Sequence, residues 1–388
     1  MSVGPLAGYR IIEIAGLGPG PFCGMMLGDM GAEVIRVDRP GTDAAQQLDP
    51  LCRNRRSIAI DLKSAPGIGI LMRLVEGADA LFEGFRPGVA ERLGFGPQVC
   101  HAANARLVYG RMTGWGQDGP LTKVAGHDIN YIALSGALHA IGRAGHRPVP
   151  PLNLVGDFGG GGMMLAFGIV CALLEAGKSG KGQVIDAGMV DGAIALMASY
   201  HGFKAMGLFD EQTGTHFLSG AAPFYDTYET ADGKFVAIGP LERPFYELLL
   251  DRLGLDRERF LAAAFTLEPG RMNSGPWAEL KEELAGVFRT RTRDEWCELL
   301  EGTDACFAPV LTTSEASRHP HNVARRSFIE VGDVLQHAPV PRFDRTGAAE
   351  PLPPPLAGRD TRALLSELNY TTGEIDAMIQ SGVVTATG

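Results

Sequence analysis

The chain has 388 residues, 45% hydrophobic and 21% charged, which is ordinary globular usage, and its 52 glycines are dispersed through varied sequence, which excludes low complexity. At about 150 residues per domain, this length predicts two or three domains with a sizeable core. A net charge of −10 argues against a whole-protein electrostatic footprint for nucleic acid, yet leaves room for a local arginine cluster that takes an anionic small molecule.

Over the first 115 residues, short β-branched or apolar runs alternate with helical stretches. Strands are predicted at Arg10–Ile14, Glu33–Val37, Ser57–Ile60, Ala80–Phe82 and Leu107–Tyr109, with helices such as Phe22–Met30 and Gly67–Gly77 between them. Such alternation indicates a parallel sheet with crossover helices. A long apolar helix is expected from Gly159 to about Ala176, then a strand at Gln183–Ile185 and a second long helix from Val190 to Met206. Tyr225–Thr230 and Phe235–Ile238 flank Ala231-Asp232-Gly233, a hairpin signal. Thr292 and Glu295 form a capping box, as do Thr371 and Glu374 in the tail beyond Pro351–Pro355. The fold class expected is α/β. A Rossmann-like large domain spans residues 1–200 and is completed by 330–388, and a linker with a smaller α+β domain occupies 201–329.

Six cysteines lie scattered without CxxC spacing, which reads as a reduced chain without disulfide framework or zinc site. Nine histidines show no HxxxH pattern, so no metal is expected. The start MSVGPLAGYR lacks a basic-then-apolar signal pattern, no uninterrupted apolar run reaches about 18 residues, and the TATG end is not a peroxisomal address. The expectation is a cytoplasmic protein without a membrane span.

Gly16-Leu17-Gly18-Pro19-Gly20-Pro21 follows the first strand and Asp38 closes the second, which invites a dinucleotide-site reading. Pro21 in the third glycine position argues against it and for a tight structural turn. Arg36, Arg39, Arg86 and Arg92 fall near predicted strand ends, where ligands of open parallel sheets gather. Guanidinium groups there suit phosphate oxygens, although each taken singly also reads as solvated surface.

Two segments carry acid–base chemistry: Gly126-His127-Asp128-Ile129-Asn130-Tyr131, and Asn153-Leu154-Val155-Gly156-Asp157-Phe158 followed by Gly159–Gly162. His127 is a candidate general base because imidazole titrates near neutrality. Asp157 precedes a glycine-opened helix, where the positive dipole end favours negative charge. A His beside an Asp is also a common structural pair, and an Asp before a helix is also a plain N-cap. The four glycines favour function, because they weaken the helix start and leave backbone open to a ligand.

At these residues the chain resembles the family III CoA-transferase superfamily and, within it, the α-methylacyl-CoA racemases. GYRIIEIAGLGPGPFCGMMLGDMGAEVIRVDRPG, RNRRSIAIDLKS, EGFRPGVAERLGFGP, RMTGWGQDGP, GHDINYIALSG and PLNLVGDFGGG carry the likeness, which runs from end to end. The resemblance implies a racemase or epimerase that interconverts (R)- and (S)-2-methylacyl-CoA thioesters by two-base proton transfer through an enolate. His127 and Asp157 match the two bases, Asn153 a residue supporting the Asp, and Glu242 an acid that orients the His from the partner subunit. It carries over CoA contacts to Arg39, Ile60, Asp61, Leu62, Lys63, Gly84, Phe85, Arg86, Arg92, Gly126, His127, Asp128, Ile129, Asn130 and Tyr131. It implies an interlocked homodimer and no separate cofactor, coenzyme A arriving as part of the substrate. The rival within the same fold is a CoA transferase with Asp128 as nucleophile; a non-catalytic CoA-binding scaffold is a third reading.

Overall fold

The structure is a computed structural model that describes residues 4–42, 48–268, 271–348 and 350–387. The chain forms two compact units, one of Met1–Ser135, Leu152–Leu196 and Arg325–Gly388, the other of Gly136–Pro151 and Met197–Ala324.

The first unit opens with β1 (Arg10–Ile14), α1 (Pro19–Asp29), β2 (Glu33–Asp38), β3 (Arg55–Ile60) and α2 (Ala65–Glu76). It continues through β4 (Ala80–Glu83), α3 (Val89–Leu93), α4 (Pro97–Ala103), β5 (Val108–Thr113) and α5 (Asp128–Leu134). The chain then enters the second unit for residues 136–151, which hold α6 (Ala137–Ala140). Back in the first unit, a helical stretch Leu154–Met163 runs into α7 (Met164–Ser179), followed by β6 (Val184–Gly188) and α8 (Met189–Leu196).

The strands are apolar on both faces because helices cover both sides. Ile12, Ile14, Ile35, Val37 and Leu81 face Leu71, Leu74 and Cys100 on one side. Ile11, Val34, Ala80 and Val108 face Cys23, Leu27, Leu165 and Ile169 on the other. Helix starts follow local chemistry: Ser64 Oγ accepts from Gly67 N at 3.1 Å to open α2, and α1 begins at Pro19, where a missing N–H costs nothing.

The second unit continues with α9 (Ala198–Ala205), the hairpin β7 (Asp226–Glu229) and β8 (Phe235–Ile238), α10 (Arg243–Leu253), α11 (Arg257–Leu261), α12 (Trp277–Phe288) and α13 (Arg293–Leu300). β9 (Phe307–Val310), α14 (Thr313–Ala316) and α15 (Pro320–Ala324) complete it. Its three strands form an antiparallel β7-β8-β9 sheet over an aromatic core that includes Phe224, Tyr246, Phe260, Trp277 and Phe288.

The remaining chain rejoins the first unit as β10 (Phe328–Val331), β11 (Val334–His337), α16 (Thr361–Glu367), α17 (Thr372–Gln380) and β12 (Val384–Thr385). Buried Arg53 fastens this return. It pairs with Asp29 and donates to Gln336 Oε1 at 2.8 Å and to the His337 carbonyl at 2.7 Å. The large sheet runs β12-β3-β2-β1-β4-β5-β6, parallel except for β12 against β3. Strand order reverses between β1 and β4, which opens a crevice at their carboxyl ends.

Three expectations change. The single helix predicted over Val190–Met206 is two, α8 and α9, broken at Met197 where the chain passes between units. Residues 136–151, expected in the large domain, belong to the second unit, where Arg143 pairs with Asp226 at 2.6 Å. The helix predicted from Gly159 begins at Leu154, and Leu154–Ser179 is one continuous segment, long and apolar enough by composition to cross a membrane. Its Leu165 and Ile169 are fully buried against the sheet, whereas Phe167 and Leu174 on the same helix are exposed.

Candidate active site

A cleft of about 420 Å³, within the usual size range of small-molecule sites, opens at the carboxyl ends of β1, β4 and β5. Ile14 and the strip Gly16–Gly20 form one wall, Gly84–Arg86 a second, and Met112–Trp115 the floor beyond β5. His127, Tyr131 and Asp157 project into it from the helical side.

His127 is the exposed N-cap of α5, and its backbone is fixed by its own turn: its N–H donates to Asn130 Oδ1 at 3.0 Å. Tyr131 anchors that helix. Its hydroxyl donates to the Gly126 carbonyl, and its ring meets Trp115 edge-on with centroids 4.8 Å apart. A Cβ on Gly114 would stand 2.2 Å from the Tyr131 ring and one on Gly126 2.8 Å away, so these glycines make room for it. Burial, then the nearby Asp157 and Asp128 carboxyls, push the Tyr131 hydroxyl above its ordinary range.

Asp157 sits on a wider-wound turn, shown by the Phe158 N–H reaching back five residues to the Asn153 carbonyl at 3.3 Å. Wide turns of this kind recur at functional sites. The Asp157 N–H donates to Asp128 Oδ2 at 2.7 Å, and Asn153 Nδ2 donates to Asp157 Oδ2 at 3.2 Å. Burial raises the Asp157 carboxyl above the usual carboxylate range; Asn153 opposes the shift, Asp128 adds to it and His127 opposes it. An imidazole and a partly desolvated carboxyl therefore share one cleft, and the imidazole acts on the carboxyl.

Asp128 is placed differently. It is only 7% exposed, does not line the cleft, and has Oδ2 engaged by the Asp157 amide, with Oδ1 buried and without a hydrogen-bond partner. Ile129 and Asn130 also stay off the cleft wall. Glu242 belongs to the second unit, where it is the exposed N-cap of α10.

Of the anticipated CoA contacts, the cleft gathers Gly84, Phe85, Arg86, Gly126, His127 and Tyr131. Arg39, Asp61, Leu62, Lys63 and Arg92 lie outside it, and Ile60 is a buried core side chain. Among the described residues, exposed Arg39, Lys63, Arg86 and Arg92 have no ion-pair partner. Arg36 does not join this set: it is buried at 2% exposure, paired with Glu13 and with Asp38 at 3.0 Å.

Two readings of the glycines are corrected. Gly160–Gly162 leave no backbone open to a ligand; they allow close helix contact. A Cβ on Gly160 would meet Ala193 N of α8 at 2.7 Å, and one on Gly162 would meet the Pro19 carbonyl of α1 at 2.6 Å. The Gly16–Gly20 strip, expected as a mere structural turn, lines the cleft instead. Gly18 has φ +67° and a Cβ there would stand 3.1 Å from Asp157 Oδ2. Its position just after the first strand was the available signal.

A family model described as CoA-transferase family III matches residues 6–361. The chain belongs to that family. Among family III members, it is similar to the α-methylacyl-CoA racemase of Mus musculus, 48% identical over 372 residues that cover 95% of each chain. It is 44% identical to the α-methylacyl-CoA racemase of Homo sapiens over 396 residues, covering 98% of this chain and 99% of the other. The crystal structure of a CAIB/BAIF family protein from Brucella suis matches with a TM-score of 0.78 at 25% identity, covering 94% of this chain and 100% of that one.

Proposed function

We propose that the chain interconverts the (R) and (S) forms of 2-methylacyl-CoA thioesters, with His127 and Asp157 as the two bases. One observation carries the reading: both side chains open to the same cleft, while Asp128, which a transferase needs as an exposed nucleophile, is tucked beneath the Asp157 amide. The likeness to two curated racemases over nearly the full chain supports the same assignment.

The α-proton of a thioester leaves only if the resulting negative charge spreads onto the carbonyl oxygen. In one direction neutral His127 takes the proton, giving imidazolium and a planar enolate. Protonated Asp157 then gives its own proton to the opposite face, leaving carboxylate and the inverted carbon. The reverse direction starts from that state, so no net proton is consumed. Burial favours a protonated Asp157, and Asn153 steadies its ionised form. Main-chain N–H groups near Asp128 or at the helix start are the donors we assign to the enolate oxygen. Arg39, Lys63, Arg86 and Arg92 supply unpaired positive charge for the CoA phosphates. No cofactor is needed for this chemistry.

We further assign Glu242 to orienting the His127 of a partner subunit, and the assembly to an interlocked homodimer. The exposed apolar side chains Phe167 and Leu174 on α7 support a second copy as their cover.

Incubation of a single 2-methylacyl-CoA enantiomer in D₂O tests the reading. Uptake of one α-deuterium with loss of optical purity, and no need for an acceptor acid, is expected. CoA transfer to an added carboxylate without exchange would overturn it. His127→Ala and Asp157→Ala should each lower the rate about 10²–10⁴-fold while the fold survives, and an active double variant refutes the two-base scheme.

A further inference from the structure

Glu83 ends β4 directly beneath the Gly84–Arg86 wall of the cleft, and it is 1% exposed. Its Oε2 accepts from the Phe85 N–H at 2.5 Å. Its Oε1 stands 3.4 Å from Arg111 Nε of β5, too poorly aligned for a hydrogen bond, so both atoms are buried without one. Arg111 then reaches across to Glu91 Oε1 of α3 at 2.9 Å. Phe85 itself is braced edge-on against Phe95, with centroids 6.2 Å apart. A chain of charge thus joins the floor of the sheet to the cleft wall and to the short helix that carries Arg92.

A glutamine would accept the Phe85 amide without the desolvation cost of a buried carboxylate. The charge therefore needs another reason, and what it adds is the hold on Arg111 and, through it, on α3. We propose that Glu83 is a positioning residue for the CoA moiety, holding the Gly84–Arg86 wall and α3 as one unit against which the nucleotide end of the thioester binds. This rests on the reading that Arg86 and Arg92 meet CoA.

Burial is what raises the Glu83 carboxyl, to about 7, against the lowering effects of the Phe85 amide and Arg111, with Glu91 adding to the rise. The other charged or titratable groups on the elements around it are Tyr109 and Arg111 on β5, Glu91 and Arg92 on α3, Cys100 and His101 on α4, and Arg10 and Glu13 on β1, where Arg10 is paired with Glu33 and Glu13 with Arg36 and Arg55. Burial pushes Tyr109 far up and Cys100 to about 12, so neither titrates near neutrality. Protonation of Glu83 below pH 7 releases Arg111 and loosens the wall.

The test compares the full-length wild type with Glu83→Gln, Arg111→Gln and Arg86→Ala, using a 2-methylacyl-CoA and the pantetheine thioester of the same acid. Glu83→Gln and Arg111→Gln should each raise KM for the CoA thioester about five- to tenfold, with kcat within about twofold and the pantetheine KM unchanged. Between pH 8 and 6, wild-type KM for the CoA thioester should rise more steeply than that of Glu83→Gln. The substrate's own phosphate titrates equally in both and drops out of the comparison. Equal effects on the two thioesters, or none on either, would overturn the role of Glu83. If Arg86→Ala leaves KM for the CoA thioester unmoved, the CoA-contact reading itself has failed. If Arg86→Ala raises it and both glutamine variants do not, only the Glu83 inference has failed.

Discussion

Gly156 packs against the carboxyl group of Asp128, and Gly156→Ala measures how tightly the two halves of the site are registered. The added Cβ would stand 2.4 Å from Asp128 Oδ2 and 2.8 Å from its Cγ. Carbon contacts prefer at least about 3.5 Å, so Asp128 has to give way by roughly 1 Å. It has little room to do so, being buried and bonded to the Asp157 N–H at 2.7 Å. Overpacking of this kind costs about 1–3 kcal/mol, and the better helix propensity of alanine offsets up to about 1 kcal/mol of that. The net loss of stability is then about 0–3 kcal/mol. The catalytic effect is distinct, because moving Asp128 separates α5, which carries His127, from the turn that carries Asp157. A misplacement of ~1 Å lowers rates about 100-fold, equivalent to roughly 2.7 kcal/mol of barrier. Deuterium exchange at the α-carbon and thermal melting, measured side by side, check both numbers. Gly177→Ala is the control: its Cβ meets nothing within 4 Å, so stability should rise by about 0.5–1 kcal/mol with exchange unaltered. A Gly156→Ala protein that keeps half the wild-type exchange rate would refute the registration argument.

Asp128→Asn keeps an oxygen for the Asp157 amide, so α-exchange should stay within about fivefold of wild type; a thousandfold loss would return Asp128 to the role of nucleophile. Asn153→Ala removes the donor that steadies the ionised Asp157 carboxyl, so the limb of the kcat/KM profile that reports its ionisation should move to higher pH. A shift toward acid, or none, contradicts this. Glu83 yields a stability prediction of definite sign. Its folded value of about 7 lies above the ordinary 4.5, so the native state binds the proton more tightly than the unfolded chain. Its contribution is full below pH 4.5 and is lost as pH rises through 7, a change of about 3 kcal/mol. Glu83→Gln lacks that loss, so its melting temperature relative to wild type should climb between pH 5 and 8; a flat difference refutes it.

The parallel sheet was legible because its strands are short apolar runs separated by glycine-rich turns, and Arg10–Ile14 coincides with the observed strand. The capping boxes at Thr292 and Thr371 were legible for the same reason, since their chemistry is local. What local pattern does not encode is tertiary pairing. Arg36 and Arg39 read alike as strand-end cations, yet only one faces a buried Glu13 across the adjacent strand. The Gly159–Gly162 run announces a special backbone but not its purpose, which is the close approach of α8 and α1. The break at Met197 falls in a segment whose apolar spacing fits one long helix, and the partition between two units overrides it. His127 and Asp157 stood out as chemistry without structural cause, whereas the Gly16–Gly20 wall looked like ordinary turn sequence.

The chain leaves its first unit twice and comes home only at Arg325. Its last strand closes the open edge of β3, and the Arg53 anchor waits for Gln336 and His337. A ribosome must therefore synthesise the chain through Val384–Thr385 before this sheet is sealed. Until then β3 offers its unpaired edge to any passing strand. Nascent chains stalled before Arg325 should depend on chaperones, and shortened transcripts should yield inclusion bodies rather than a half-active fragment.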